Sequence, residues 1–145
     1  MKLAERIASK FQVTTDDVIG FASRAPRHYK EFKIPKANGG ERHIAQPSAR
    51  IKDIQRFLVQ EELYTLPVHT ASQAYGNGCS IRKNAACHSQ NSHLLKMDFT
   101  DFFNSIEPKH FRAHVRDHLP KYYTRQEMAI LWRYLFWAQP TLAKP

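Results

Sequence analysis

Two cysteines, Cys79 and Cys87, are too few for a disulfide framework and fit a reducing compartment. Five glycines and eight prolines without a short repeat exclude collagen-like and low-complexity chains. No apolar run approaches the roughly 18 residues of a membrane span, since the most apolar stretch, residues 128–138, is broken by Arg133. The start, Met1-Lys2-Leu3-Ala4-Glu5-Arg6, has no signal-peptide core, so a soluble, cytoplasmic protein without membrane contact is expected. What is present is 145 residues, 42% hydrophobic and 12% aromatic, which is one domain's worth of core-forming material.

Charge is unevenly placed. Of the formal +9, a net +6 lies between Arg24 and Arg56, where Arg24, Arg27, Lys30, Lys33, Lys36, Arg42, Arg50, Lys52 and Arg56 face only Glu31, Glu41 and Asp53. A concentrated positive field attracts a polyanion, and nucleic acid is the commonest one; a solvated face is the alternative.

Hydrophobic periodicity outlines the elements. Leu3, Ile7 and Phe11 predict a first helix, and Thr14 to Asp17 cap a second whose inner side is Val18, Phe21 and Ala22, ended by Pro26. Residues 31–35 and 42–46 read as strands joined by a turn in which Asn38-Gly39 supplies positive φ. Ser48 can cap a helix with Ile51, Ile54 and Leu58 inward. Residues 69–90 read as loop with at most short structure, and residues 94–98 as a buried strand closed by Asp98. Pro108 opens a helix with Phe111 and Val115 inward; a capping box at Thr124-Arg125-Gln126-Glu127 opens the last, with Met128, Leu131 and Leu135 inward. The expected class is α+β, with helices, a β-hairpin and one central strand.

The stretch Leu94-Leu95-Lys96-Met97-Asp98-Phe99-Thr100-Asp101-Phe102-Phe103 carries the chemistry. A carboxylate at a strand end suits a hard divalent ion; alternatively Asp98 caps a turn, Asp101 starts a short helix, and Phe102 and Phe103 are core. His110, His114 and His118 recur every four residues and could face zinc, although Phe111 and Val115 already account for that helix. Trp132, Tyr134, Phe136 and Trp137 read as core or an interface, or as a base-stacking platform.

This stretch resembles motif A of the reverse transcriptases. Phe32 to Lys36, Asn38-Gly39-Gly40-Glu41-Arg42-His43-Ile44 and Gln46-Pro47-Ser48 resemble the fingers hairpin of the bacterial enzymes. Asn84-Ala85-Ala86-Cys87-His88, led into by Ala74-Tyr75-Gly76, is similar to a signature of the retron type. The resemblance covers roughly residues 30–106. After the helical segment read at residues 1–29, it implies a partial reverse transcriptase domain at residues 30–145: the fingers and the first palm strand of a right-hand polymerase.

The resemblance further implies Asp98 as the catalytic ligand of Mg2+, with the Phe99 backbone as a further metal ligand. Asp101, Phe102 and Phe103 would lie at the incoming nucleotide, Phe103 selecting deoxynucleotides. Arg42, with Lys36 or Lys33, would clamp the triphosphate. Asn84 and His88 would contact RNA or serve the structure, a buried histidine being the other reading of His88. Implied partners are a structured noncoding RNA as template and primer, deoxynucleoside triphosphates and the DNA product, and the implied cellular role is defence against phage. The family's aromatic-x-Asp-Asp hairpin has no counterpart here, so a missing C-terminal part or split partner is expected, and little activity from this chain alone. A non-catalytic RNA-binding remnant, and a group II intron or abortive-infection type enzyme, are the other readings.

Overall fold

A computed structural model describes residues 2–74, 76, 78–100, 102–119 and 123–137. Helix α1 (Leu3–Phe11) and helix α2 (Thr15–Arg24) are antiparallel neighbours joined at Gln12, which takes the left-handed conformation, φ 53°. Thr14 closes a capping box with Asp17, and the hydroxyl and amide of Thr14 hold the Asp17 carboxyl below its ordinary pKa. Pro26 sits in a short 3-10 turn, Ala25–Arg27. Strands β1 (Tyr29–Pro35) and β2 (Glu41–Pro47) pair antiparallel, with Phe32 opposite Ile44 and Ile34 opposite Arg42. Helix α3 (Ala49–Leu58) runs on into a π-helical turn, Val59–Leu63. Helices α4 (Ile81–Ala86), α5 (Phe102–Ser105), α6 (Pro108–His118) and α7 (Arg125–Leu135) follow.

The core gathers Leu3 and Ile7 of α1, Val18 and Ala22 of α2, Ile51, Ile54 and Leu58 of α3, and Ile130, Leu131 and Tyr134 of α7. Three helices therefore bury the residues their periodicity selects. In α7 the deepest positions are Leu131 and Tyr134, with Met128 and Leu135 half-buried at the margin. The core reading of the aromatic helix holds for Tyr134, whose hydroxyl donates to the Val18 carbonyl at 2.7 Å while burial pushes its pKa up to about 12. Trp137 packs against Tyr29 and His43 of the hairpin. Gln55 of α3 donates to the Tyr29 hydroxyl and the Tyr134 carbonyl, tying hairpin, α3 and α7 together.

Two buried carboxylates close the core. Glu127 completes the capping box of α7 with Thr124 and also accepts the Leu3 amide at 2.9 Å, so one side chain serves the starts of both α1 and α7. Burial alone would raise its pKa; the amides of Leu3 and Thr124 outweigh that and lower it. Glu62 accepts two bonds from Arg6, both 2.6 Å, and one from the Tyr123 hydroxyl at 2.7 Å. Burial and the bond to Glu62 raise the Tyr123 pKa strongly.

Three expectations need correction. Residues 94–98 form no strand: Leu95 and Met97 are 80% and 75% exposed, and the segment has no ladder partner among the described residues. An apolar run becomes a strand when neighbouring strands satisfy its amides, and the described sheet consists of β1 and β2 alone. The central palm strand is thus absent from the described fold, which is α+β through its helices and hairpin. Second, Gly39 and Gly40, not Asn38, supply the positive φ of the turn, 84° and 82°. Third, the alternative readings that make Phe102 and Phe103 core and His88 buried do not hold, since all three are exposed.

Candidate functional site

The hairpin sorts its charges by face. Directly paired residues of an antiparallel ladder point to the same side, and successive residues alternate. Phe32, Ile34, Arg42 and Ile44 therefore share one face, and Glu31, Lys33, Glu41 and His43 the other. On the second face Lys33 pairs with Glu41 at 2.7 Å and His43 meets Glu31 at 3.2 Å. Arg42 joins Ile34, Pro35 and Lys36 around a hollow of about 400 Å³ beside the turn. Of the two lysines considered as its companion, Lys36 shares this hollow with Arg42, whereas Lys33 is turned away and held by a carboxylate. The turn that aims Lys36 is fixed by the Lys36 amide on the Gly40 carbonyl, 3.0 Å, and the Gly39 amide on the Lys36 carbonyl, 3.1 Å.

The stretch at residues 94–103 is positioned differently. Asp98 and Phe99 are exposed and lie outside any helix or strand, and Phe99, Phe102 and Phe103 form a chain of ring contacts with centroids 6.1 and 5.4 Å apart. Asp101 lies outside the described residues, as does Tyr75. Asn84 and His88 lie on or just after α4, whose start is capped by the Ser80 hydroxyl accepting the Lys83 amide; both side chains face water. Every residue between 80 and 107 whose burial is described is exposed.

The described residues do not fit a magnesium centre, because no three His, Cys, Asp or Glu side chains converge among them and Asp98 is a single carboxylate. The same holds for zinc on α6. His110 accepts the Glu107 amide through Nδ1 and caps the helix, while His114 and His118 meet edge to face, 4.6 Å between centroids.

Sequence reasoning registered the basic segment but not its convergence. Arg27, Lys30, Lys52 and Arg56 come from three elements to line one hollow of about 630 Å³ at the hairpin base. A second hollow, about 400 Å³, lies between α6 and α7, where Arg112 stacks on Trp132 at 4.9 Å. No helix among the described residues is long and apolar enough to cross a membrane.

No family model matches the chain. Individual relatives do. It is 44% identical over 87 residues, 60% of its length, to the retron Ec83 reverse transcriptase of Escherichia coli, covering 28% of that protein. It is 39% identical over 107 residues to the retron Ec73 reverse transcriptase of the same organism, covering 70% of this chain and 34% of the relative. The retron Mx162 reverse transcriptase of Myxococcus xanthus matches at 37% over 79 residues, covering 54% of this chain and 16% of the relative. The chain thus spans about a third or less of the length of the curated relatives it matches.

Proposed function

Starting from a chain related in sequence to the retron reverse transcriptases over more than half of its length, we propose that it supplies the fingers and motif A of an RNA-directed DNA polymerase. The observation that carries this reading is the hairpin: the two cations assigned to the triphosphate, Lys36 and Arg42, border one hollow on the face away from Lys33. A planar guanidinium beside an ammonium suits the oxygens of a deoxynucleoside triphosphate. Asp98 is the carboxylate this chain contributes to nucleotidyl transfer, with Phe99 next to it, and Asp101, Phe102 and Phe103 form the nucleotide side of the pocket. Magnesium-dependent chemistry needs carboxylates besides those this chain brings, supplied by a further polypeptide, and the chain by itself is inactive. Template and primer are a structured noncoding RNA, the product is DNA, and Asn84 and His88 face that RNA.

The test is a chimera in which this chain replaces the matched part of the retron Ec83 reverse transcriptase. Expected are primer extension on an RNA template, its loss in Asp98→Asn, and no extension by the 145-residue chain alone. A folded chimera that binds RNA but never extends a primer would favour the RNA-binding remnant; extension by the isolated chain, abolished by Asp98→Asn, would refute the need for a partner.

A further inference from the structure

Away from the hairpin, α6 and α7 face each other with the same spacing. Arg112, Val115, Arg116 and Leu119 recur at i, i+3, i+4 and i+7 along α6 and its C-cap, and Arg125, Met128, Ala129 and Trp132 recur in the same way along α7. Rather than interdigitate, the two stripes enclose the hollow of about 400 Å³ between these helices. Its walls are Val115, Leu119, Met128, Ala129 and Trp132, and its rim carries Arg112, Arg116 and Arg125 with no acidic residue in the lining. Packed interiors leave few gaps larger than a water molecule, and apolar walls that face a gap forgo dispersion contacts. Small-molecule sites have this character: apolar, of comparable size, with a few convergent polar groups.

The polar groups select the class of ligand. Among the described residues Arg125 has no ion-pair partner, Arg116 meets Asp117 at 3.0 Å, and Arg112 stands 4.9 Å from the Trp132 ring centre. Tyr123, the remaining polar group of the lining, already donates its hydroxyl to Glu62 at 2.7 Å. Anionic oxygens are therefore welcome at the rim, whereas the walls hold no free hydroxyl or carboxylate for a sugar or a base, and a polyphosphate would meet apolar surface where its further charges need donors. Trp132 and the adaptable Met128 suit a flat apolar body.

We propose that the hollow between α6 and α7 binds a small flat organic acid, a hydrophobic carboxylate whose rings fill the space against Val115, Met128 and Trp132 and whose carboxylate meets Arg125 and Arg112. No residue assigned to the nucleotide lines it, so the site stands whether or not the chimera extends a primer.

Anilinonaphthalene sulfonate, an aromatic anion whose emission rises in apolar surroundings, is titrated into the 145-residue chain and read by energy transfer from tryptophan, Trp132 being part of the wall. Naphthoate is then used to displace it, beside naphthalenemethanol, which has the same rings without the charge. Expected are one saturable probe site and displacement by naphthoate, with about tenfold more of the alcohol needed, the effect of losing a charge-assisted hydrogen bond. Arg125→Gln, which removes a cation from a helix start that a cation does not support, should weaken naphthoate by about fivefold or more. Ala129→Phe, which fills the hollow, should abolish the site; Arg125→Gln decides alone if the filled variant loses the far-UV circular dichroism of the parent. Equal potency of acid and alcohol, or unchanged affinity in Arg125→Gln, would overturn the proposal. So would displacement of the probe by a short single-stranded RNA or by an acidic peptide, which would make the hollow a surface for that polymer. Loss of the site as the chain is concentrated would assign the hollow to a second copy, and its loss in a folded chimera would assign it to the rest of the polymerase; either result also overturns the proposal.

Discussion

Around Tyr134, side chains such as Leu3, Ile51 and Leu131 are fully removed from water, whereas between residues 80 and 107 Leu95, Met97 and Phe99 stand in it. Both regions are rich in apolar residues. They differ in what surrounds them: α1, α2, α3 and α7 supply faces to one another, and none of residues 94–103 joins the core they form. Hydrophobicity alone therefore does not make a core; complementary surfaces must be within reach. The residues assigned to chemistry fall largely in the unsupported region, while the cations assigned to phosphate stand on the hairpin, which Trp137 and Gln55 tie to the packed region.

This contrast is open to direct test. Leu131→Ala, at a fully buried position, should cost about 2–5 kcal/mol in urea unfolding, whereas Phe99→Ala should change the same midpoint by no more than about 0.5 kcal/mol; equal effects would abolish the distinction. Glu62→Ala, which leaves Arg6 and Tyr123 without their shared acceptor, should cost about 1–3 kcal/mol.

Glu127→Gln should cost about 1 kcal/mol near neutral pH through weaker caps on two helices. Its folded pKa lies below the ordinary 4.5, so the stability its charge confers is present above that value and is lost as pH falls through the folded value. The gap between wild type and Glu127→Gln should accordingly hold steady at pH values above 4.5 and shrink as pH falls below it. Lys33→Met should have as small an effect as Phe99→Ala, at most about 0.5 kcal/mol, because its pair with Glu41 is exposed on both sides. Limited trypsin digestion completes the comparison: cleavage at Arg82, Lys83 or Lys96 should precede cleavage at Arg6.

The packed region was legible because its signals are local. Fourfold spacing of Leu3 and Ile7, the Thr14 and Thr124 boxes, and Ile51, Ile54 and Leu58 each declare a buried face within one element. Contacts between distant parts of the chain were not legible: Glu127 on the Leu3 amide spans most of the sequence, and Glu62 finds Arg6 only once the π-helical turn after α3 is formed. The strand expected at residues 94–98 failed for a related reason, since alternation describes a preference and pairing needs a neighbour. At the hairpin, the sequence located the turn and its basic residues, but only strand register separates Lys36 from Lys33.

The carboxylate shared by α1 and α7 has a consequence for biosynthesis. Roughly a hundred residues separate the end of α2 from the start of α7, which at the usual pace of translation is an interval of about 5–20 s. Throughout it, the emerging α1–α2 pair lacks Leu131 and Tyr134 to cover Leu3 and Val18. The nascent chain must therefore carry an open apolar surface until its final described helix leaves the ribosome, a period in which a chaperone that shields such surfaces would raise the yield of folded protein.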